Sequence, residues 1–133
     1  MPELPEVETV RKGLAKHLQG GTISSVDLRR EGLRFPFPKD MEYRLTNRRI
    51  EEIKRRAKYL LIRLDDDSTW LVHLGMTGKF TLFASESEYE EIAKHDHVII
   101  RMENGAIAVY NDPRRFGVMD LIDAGGEQNH RLL

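Results

Sequence analysis

Between residues 50 and 122 the apolar side chains recur at every second position in short runs rich in Val, Ile, Leu, Tyr and Phe, a pattern that restricts this part of the chain to strands. The runs predict strands at about 50–56, 59–64, 69–74, 79–83, 97–103, 106–111 and 117–122. Two turns between them are legible. Asp65-Asp66-Asp67-Ser68 separates one pair of runs. Asn104-Gly105, between Val98-Ile99-Ile100-Arg101-Met102 and Ala106-Ile107-Ala108-Val109-Tyr110, is the residue pair that a two-residue hairpin turn prefers. Many short strands with tight turns, and helices only near the start, predict a mainly β chain with flanking helices (α+β), built as a β-sandwich or flattened barrel.

The helices belong to the first fifty residues. From Pro5 to Gln19, Val7, Val10, Leu14 and Leu18 share one face at spacings of three and four. Glu6 and Glu8 lie at the positive end of that helix, Lys12, Lys16 and His17 toward its negative end, and Gly20-Gly21 stop it. Residues 22–28 suit a strand. Phe35-Pro36-Phe37-Pro38 is a loop whose alternate prolines forbid regular pairing, and Pro38 can open a second short helix through about Leu45.

A chain of 133 residues carries one core-bearing domain. The domain is expected to span 1–124, and the polar tail from Gly125 onward reads as the start of a linker. No run approaches the ~18 apolar residues of a membrane span, and the acidic start is unlike a secretory signal, so a cytoplasmic, monomeric protein is expected. With no cysteine, the chain can hold no Cys-ligated zinc. Its net charge of -1 argues against a polybasic binder as a whole, so the distribution of charge carries the information.

Four stretches carry chemistry. In Met1-Pro2-Glu3-Leu4-Pro5-Glu6-Val7-Glu8, removal of Met1 would make Pro2 a secondary amine at the chain terminus. Such an amine can attack a carbon of aldehyde character to give an iminium, with Glu3 beside it as proton shuttle. The same residues are also an ordinary helix start. Between Arg48 and Lys58 six cations face two acids, which suits a phosphate backbone or, equally, a solvated strand edge. Lys58 precedes an apolar strand that would root it rigidly near an amine. Gly75-Met76-Thr77-Gly78 presents Met76 at a turn tip, either as an apolar wedge between bases or as a core residue beside a turn. Asn111-Asp112-Pro113-Arg114-Arg115-Phe116-Gly117 places two guanidiniums and an aromatic on one loop. Arg can read bases or phosphates and Phe can stack where a base has gone, though the charges can equally face water and Phe116 the core. The alternating His95-Asp96-His97 lacks a third ligand, so no metal is expected there.

Together with Arg56-Ala57-Lys58-Tyr59-Leu60 and His73-Leu74-Gly75-Met76, these stretches resemble the N-terminal domain of bacterial formamidopyrimidine-DNA glycosylases over nearly the whole chain. The resemblance implies a two-layer β-sandwich with an N-terminal helix and a second short helix. It implies a bifunctional glycosylase and lyase that removes 8-oxoguanine and ring-opened purines from damaged double-stranded DNA through an N-terminal proline Schiff base and β,δ-elimination. Pro2, Glu3 and Lys58 take the catalytic roles in that reading. Met76 and Phe116, with Arg114, fill the gap left by the everted base, Arg114 meets the orphaned cytosine, and His95 and Arg115 contact phosphates. Family members continue into a helix-two-turn-helix and zinc-finger half that carries a structural zinc. No cofactor is expected in this chain, and it is expected to be weak or inactive alone. Two rival readings are a catalytically silent DNA-binding fragment and a tautomerase of the N-terminal-proline type.

Overall fold

The structure, a computed structural model, describes residues 3–127, 130, 132 and 133. Helix α1 (Leu4–Leu18) leads into strand β1 (Ile23–Leu28) and the short helix α2 (Met41–Leu45). Strands β2 (Ile50–Arg56), β3 (Tyr59–Leu64), β4 (Thr69–His73) and β5 (Lys79–Phe83) come next. After a 3-10 turn at Glu86–Glu88 come β6 (Asp96–Met102), β7 (Ile107–Asn111) and β8 (Val118–Ile122). No described helix is long and apolar enough to cross a membrane.

The strands form two four-stranded antiparallel sheets, ordered β1-β6-β7-β5 and β2-β3-β4-β8. This is the two-layer arrangement expected. Ile53, Leu60, Ile62 and Trp70 of one sheet share a buried core with Val26, Val98, Ile100 and Tyr110 of the other. Val7, Leu14 and Leu18 of α1 join that core, so the helical period read from the sequence is the buried stripe. Removing this much apolar surface from water, at about 25 cal/mol per Å², is the main force holding the layers together.

The outer faces are also partly covered, in keeping with the uninterrupted apolar runs Val98-Ile99-Ile100 and Ala106-Ile107-Ala108-Val109-Tyr110. β6 and β7 are buried along nearly their whole length. Ile99, Ile107 and Val109 form a second cluster with Tyr89, whose hydroxyl donates to the buried Asp96 at 2.8 Å. The acidic stretch from Glu86 to Glu91 therefore pins one aromatic over a sheet. On the opposite sheet Leu61, Leu71 and Ile122 are covered by Leu132 and Leu133, and His130 bonds Asp120 at 2.7 Å.

One helix start differs from expectation. Pro38 does not open α2; its carbonyl accepts the Met41 N–H at 3.2 Å, and Asp40, at φ 62°, takes the left-handed conformation immediately before the helix. In the preceding loop Leu33 and Phe37 pack on the core while Phe35 stays 42% exposed. The prolines permit only an isolated bridge, Gly32 to Pro36.

Candidate nucleic-acid interface and active centre

The topology sets the site. β4 and β8 belong to one sheet and β5 and β7 to the other, with His73 opposite Val118 and Lys79 opposite Asn111. The β4–β5 and β7–β8 connections must therefore both cross between the layers, side by side, at one end of the sandwich. Their backbones touch. A Cβ on Gly75, which sits at φ +65°, would overlap the backbone of Phe116 and Gly117, and one on Gly117 would overlap the Tyr110 hydroxyl. Glycine at these positions is what lets the two connections form one unit. The loop after β1 joins them, since the Arg34 N–H donates to the Gly117 carbonyl at 3.2 Å.

That unit brings the three expected wedge residues together. Met76 is 48% and Phe116 42% exposed, so neither is a core residue. The Arg114 guanidinium lies 4.7 Å from the centre of the Phe116 ring, and its Nη1 is 3.9 Å from the Met76 sulfur. Exposed cation–π contacts of this kind contribute about 0.5–1 kcal/mol, enough to bias the arginine toward the ring without fixing it there.

Beside the tip opens a cleft of ≈ 800 Å³ lined largely by Arg34, Phe35, Tyr59, His73, Met76 and Phe116. Tyr59 and His73 face each other across β3 and β4 with ring centroids 4.8 Å apart. His73 Nδ1 accepts the Gly75 N–H at 3.0 Å. Burial, then the charges of Lys58 and Arg34, lower the His73 pKa below its ordinary value, so the ring is neutral at pH 7. His73, Tyr59 and Arg34 had no assigned role in the sequence reading. The signal available was a histidine closing an otherwise apolar strand, Trp70-Leu71-Val72-His73.

Lys58 lies in the β2–β3 hairpin turn, at the same end of the sandwich, because Arg56 pairs with Tyr59 and Tyr59 with His73. Its Nζ is 3.8 Å from Glu3 Oε2, so two of the three expected catalytic residues meet. The third, Pro2, lies outside the described residues. The start of α1 is tied to the hairpin by Glu8, which binds Arg11 at 2.8 Å and Arg55 at 3.1 Å. The hydrogen bonds from Arg11 lead in drawing the Glu8 pKa down to about 2.

The basic segment is an edge strand. Arg48 pairs with Asp65 and Asp66, Arg49 with Glu51, Lys54 with Glu52 and Arg55 with Glu8. Of the two readings left open, the guarded strand edge describes these four cations. A different basic surface appears instead: Arg29, Arg30, Arg34 and Arg115 line a shallow groove, and none of them forms an ion pair among the described residues. His97 is buried with Nε2 2.8 Å from the Asp112 carbonyl, whereas His95 is half-exposed beside it. Among the described residues no three His, Asp or Glu side chains are grouped to hold a metal.

The formamidopyrimidine-DNA glycosylase N-terminal domain matches residues 1–119. The chain belongs to the formamidopyrimidine-DNA glycosylase family. It is 47% identical over 138 aligned residues to the formamidopyrimidine-DNA glycosylase of Roseobacter denitrificans, covering 100% of this chain and 49% of that protein. With the Beijerinckia indica glycosylase the identity is 50%, over 99% of this chain and 47% of the relative. A solved structure of MutM with carbocyclic 8-oxo-G containing DNA superposes with a TM-score of 0.87 at 34% identity, over 98% of this chain and 48% of that one. The Lactococcus lactis enzyme with Fapy-dG containing DNA gives 0.80 at 36% identity, over 90% and 44%. The chain thus spans about half the length of the relatives it matches.

Proposed function

We propose that this chain is the proline-bearing half of a base-excision repair glycosylase/AP lyase acting on damaged double-stranded DNA, with oxidised and ring-opened purines as substrates. The observation that carries the reading is the convergence of Met76, Arg114 and Phe116 into one exposed tip beside a cleft, with Lys58 and Glu3 at the same end. A base inside a duplex hides its C1′. Everting it costs a few kcal/mol of stacking, which an apolar side chain entering the gap offsets. Met76 and Phe116 fill the void, and Arg114, held between them, turns toward the base left without a partner.

With C1′ exposed, the free secondary amine of Pro2 forms the new C–N bond while the glycosidic bond breaks and the base departs with its electron pair. Glu3 moves the accompanying proton. The nitrogen loses its proton, and the C1′–O4′ bond then opens as Glu3 delivers a proton to O4′. The resulting iminium acidifies the C2′ hydrogen, so successive β and δ eliminations expel the 3′ and 5′ phosphates. Lys58 grips a flanking phosphate and disfavours protonation of the proline nitrogen, and His95 and Arg115 contact the backbone farther along. Residues 1–124 form the domain, and the segment from Gly125 onward begins a connection to the other half of the enzyme. Because that half supplies further DNA contacts in the family, the chain alone is expected to turn over poorly.

Borohydride trapping on a duplex carrying 8-oxoguanine opposite cytosine tests this. A covalent adduct, lost in Pro2→Gly, is the expected result once mass spectrometry shows Met1 removed. Duplex binding with no adduct supports the silent DNA-binding module. Neither binding nor adduct, with turnover of enol or keto acids, would leave the tautomerase.

A further inference from the structure

The aspartate of Asn111-Asp112-Pro113 has no role in the proline chemistry, yet it is the most heavily engaged acid near the tip. Asp112 is fully buried, and no cation pairs with it among the described residues. Its carboxylate accepts four hydrogen bonds. Oδ1 takes the Thr77 hydroxyl at 2.7 Å and the Arg115 N–H at 3.1 Å; Oδ2 takes the Tyr110 hydroxyl at 2.9 Å and the Gly117 N–H at 3.0 Å. Burial, then the charge of Asp112, raises the Tyr110 pKa, which keeps that hydroxyl a donor.

The donors come from both connections. Arg115 and Gly117 flank Phe116, and Thr77 is the neighbour of Met76. Thr77 Oγ1 also accepts the Arg114 N–H at 3.3 Å. Arg115 is held at φ 55°, a conformation that a residue with a side chain reaches at a cost and keeps only when its surroundings fix it. One buried carboxylate therefore ties together the backbone beneath all three exposed residues.

We propose that Asp112 is a positioning residue that holds Met76, Arg114 and Phe116 in their inserting geometry before DNA arrives, so that entering the base stack does not first have to order the loop. The inference rests on the reading of these three side chains as a wedge. Asp112→Asn discriminates sharply, because the amide oxygen can still accept from Thr77 and Arg115 while its NH₂ is turned against the Gly117 N–H, and the Tyr110 hydroxyl must swing from donating to accepting. Thr77→Val, isosteric and only half-buried, cuts the link between the connections and serves if the asparagine variant does not fold.

The 133-residue chain is titrated against a duplex containing a tetrahydrofuran gap, with 2-aminopurine next to the opposing cytosine, and insertion is read as the brightening of the unstacked fluorophore. Amide exchange of Arg115 and Gly117 is monitored in the free protein. The wild type is expected to brighten the probe and Met76→Ala to abolish the signal. Asp112→Asn and Thr77→Val are expected to lower it about tenfold at equal bound protein, keep affinity for an undamaged duplex within twofold, and exchange the two amides at least tenfold faster. Unchanged exchange overturns the proposal. Fast exchange with wild-type insertion also overturns it while leaving the wedge reading intact. A wild-type chain with no Met76-dependent signal overturns the wedge reading, and the proposal with it.

Discussion

Two groups of arginines sit on this domain, and they differ in what faces them. Along the edge strand β2 and its approach, Arg48 and Arg55 meet carboxylates from the β3–β4 turn and from α1, and Arg49 meets Glu51 within its own segment. At the crossing end, Arg29, Arg30, Arg34 and Arg115 line one groove with Glu31 yet form no ion pair among the described residues, and Arg34 lies over the Phe35 ring. Read as a string the first group is the denser. A polyanion nevertheless gains most by neutralising charge that the protein has not already neutralised, since each phosphate paired releases a counterion. A density of cations in sequence therefore locates a binding surface only after the acids that fold against it are known.

The crossing end depends on backbone contact and the edge strand does not, and the largest expected effect comes from that. Gly75→Ala drives a methyl into the Phe116 backbone at a residue held at φ +65°. Overpacking and the left-handed backbone together should cost roughly 3 kcal/mol. Gly20→Ala, also at positive φ but with nothing within 4 Å, should cost only about 1 kcal/mol. Urea denaturation separates the two. Equal losses would mean that the crossing connections are not packed as a unit.

Next in size is the contrast in binding. Arg30→Ala and Arg115→Ala are each expected to weaken duplex affinity by about three- to tenfold and to lower the slope of log K against log salt by about one. Arg49→Ala and Lys54→Ala should leave both within error. Fluorescence anisotropy at several salt concentrations decides it, and equal effects from the two groups would break the comparison.

How far the sequence showed this in advance differs by region for a physical reason. The strands and α1 were legible to within a residue or two because burial imposes periods of 2 and 3.6 directly on side-chain choice. Asn104-Gly105 was legible as a hairpin because the turn needs the left-handed backbone that Gly105 supplies at φ 93°, although the turn spans Glu103, Asn104 and Gly105, with the Met102 N–H donating to the Ala106 carbonyl across it. The Ala57-Lys58 turn is not marked that way, since Ala57 occupies φ 51° with no glycine or asparagine, steadied by Arg55 donating to its carbonyl at 3.0 Å. Met76, Arg114 and Phe116 could be named from their motifs, but their meeting is a product of topology. The link from Asp112 to Thr77 and the pairing of β2 with Glu8 were hidden for the same reason: hydrogen-bond partners 35 or 47 positions apart leave no local period.

A smaller effect concerns pH. Burial is the leading cause that lowers the pKa of both His73 and His97 in the folded state. The unfolded chain then binds more protons than the folded one as pH falls below the ordinary histidine value near 6.5, so stability should drop from pH 7 toward pH 5. His97→Gln should flatten part of that slope because it removes one of the two groups that burial depresses, while an amide can still donate to the Asp112 carbonyl that Nε2 bonds. Melting temperatures across that range check it, and a slope unchanged in the variant would place the proton uptake elsewhere.

The smallest expected effect tests whether an unpaired cation is sufficient wherever it lies. Glu8→Gln releases Arg11 and Arg55 from their shared carboxylate and so converts part of the edge strand into the unpaired kind. If lack of a partner were the only requirement, duplex affinity should rise toward what Arg115 contributes. If position at the crossing end is also required, low-salt affinity should rise by less than about twofold, the effect of one added positive charge acting through solvent. The same variant carries an internal control for the pairing. Glu8 is held down to about 2, so its contribution to stability is complete above the unfolded value near 4.3 and is lost as pH falls through about 2. The wild type should lose melting temperature across that acid window by an increment the glutamine variant lacks. An affinity gain matching the loss in Arg115→Ala would show that release from a carboxylate, and not location, makes an arginine on this domain a phosphate ligand.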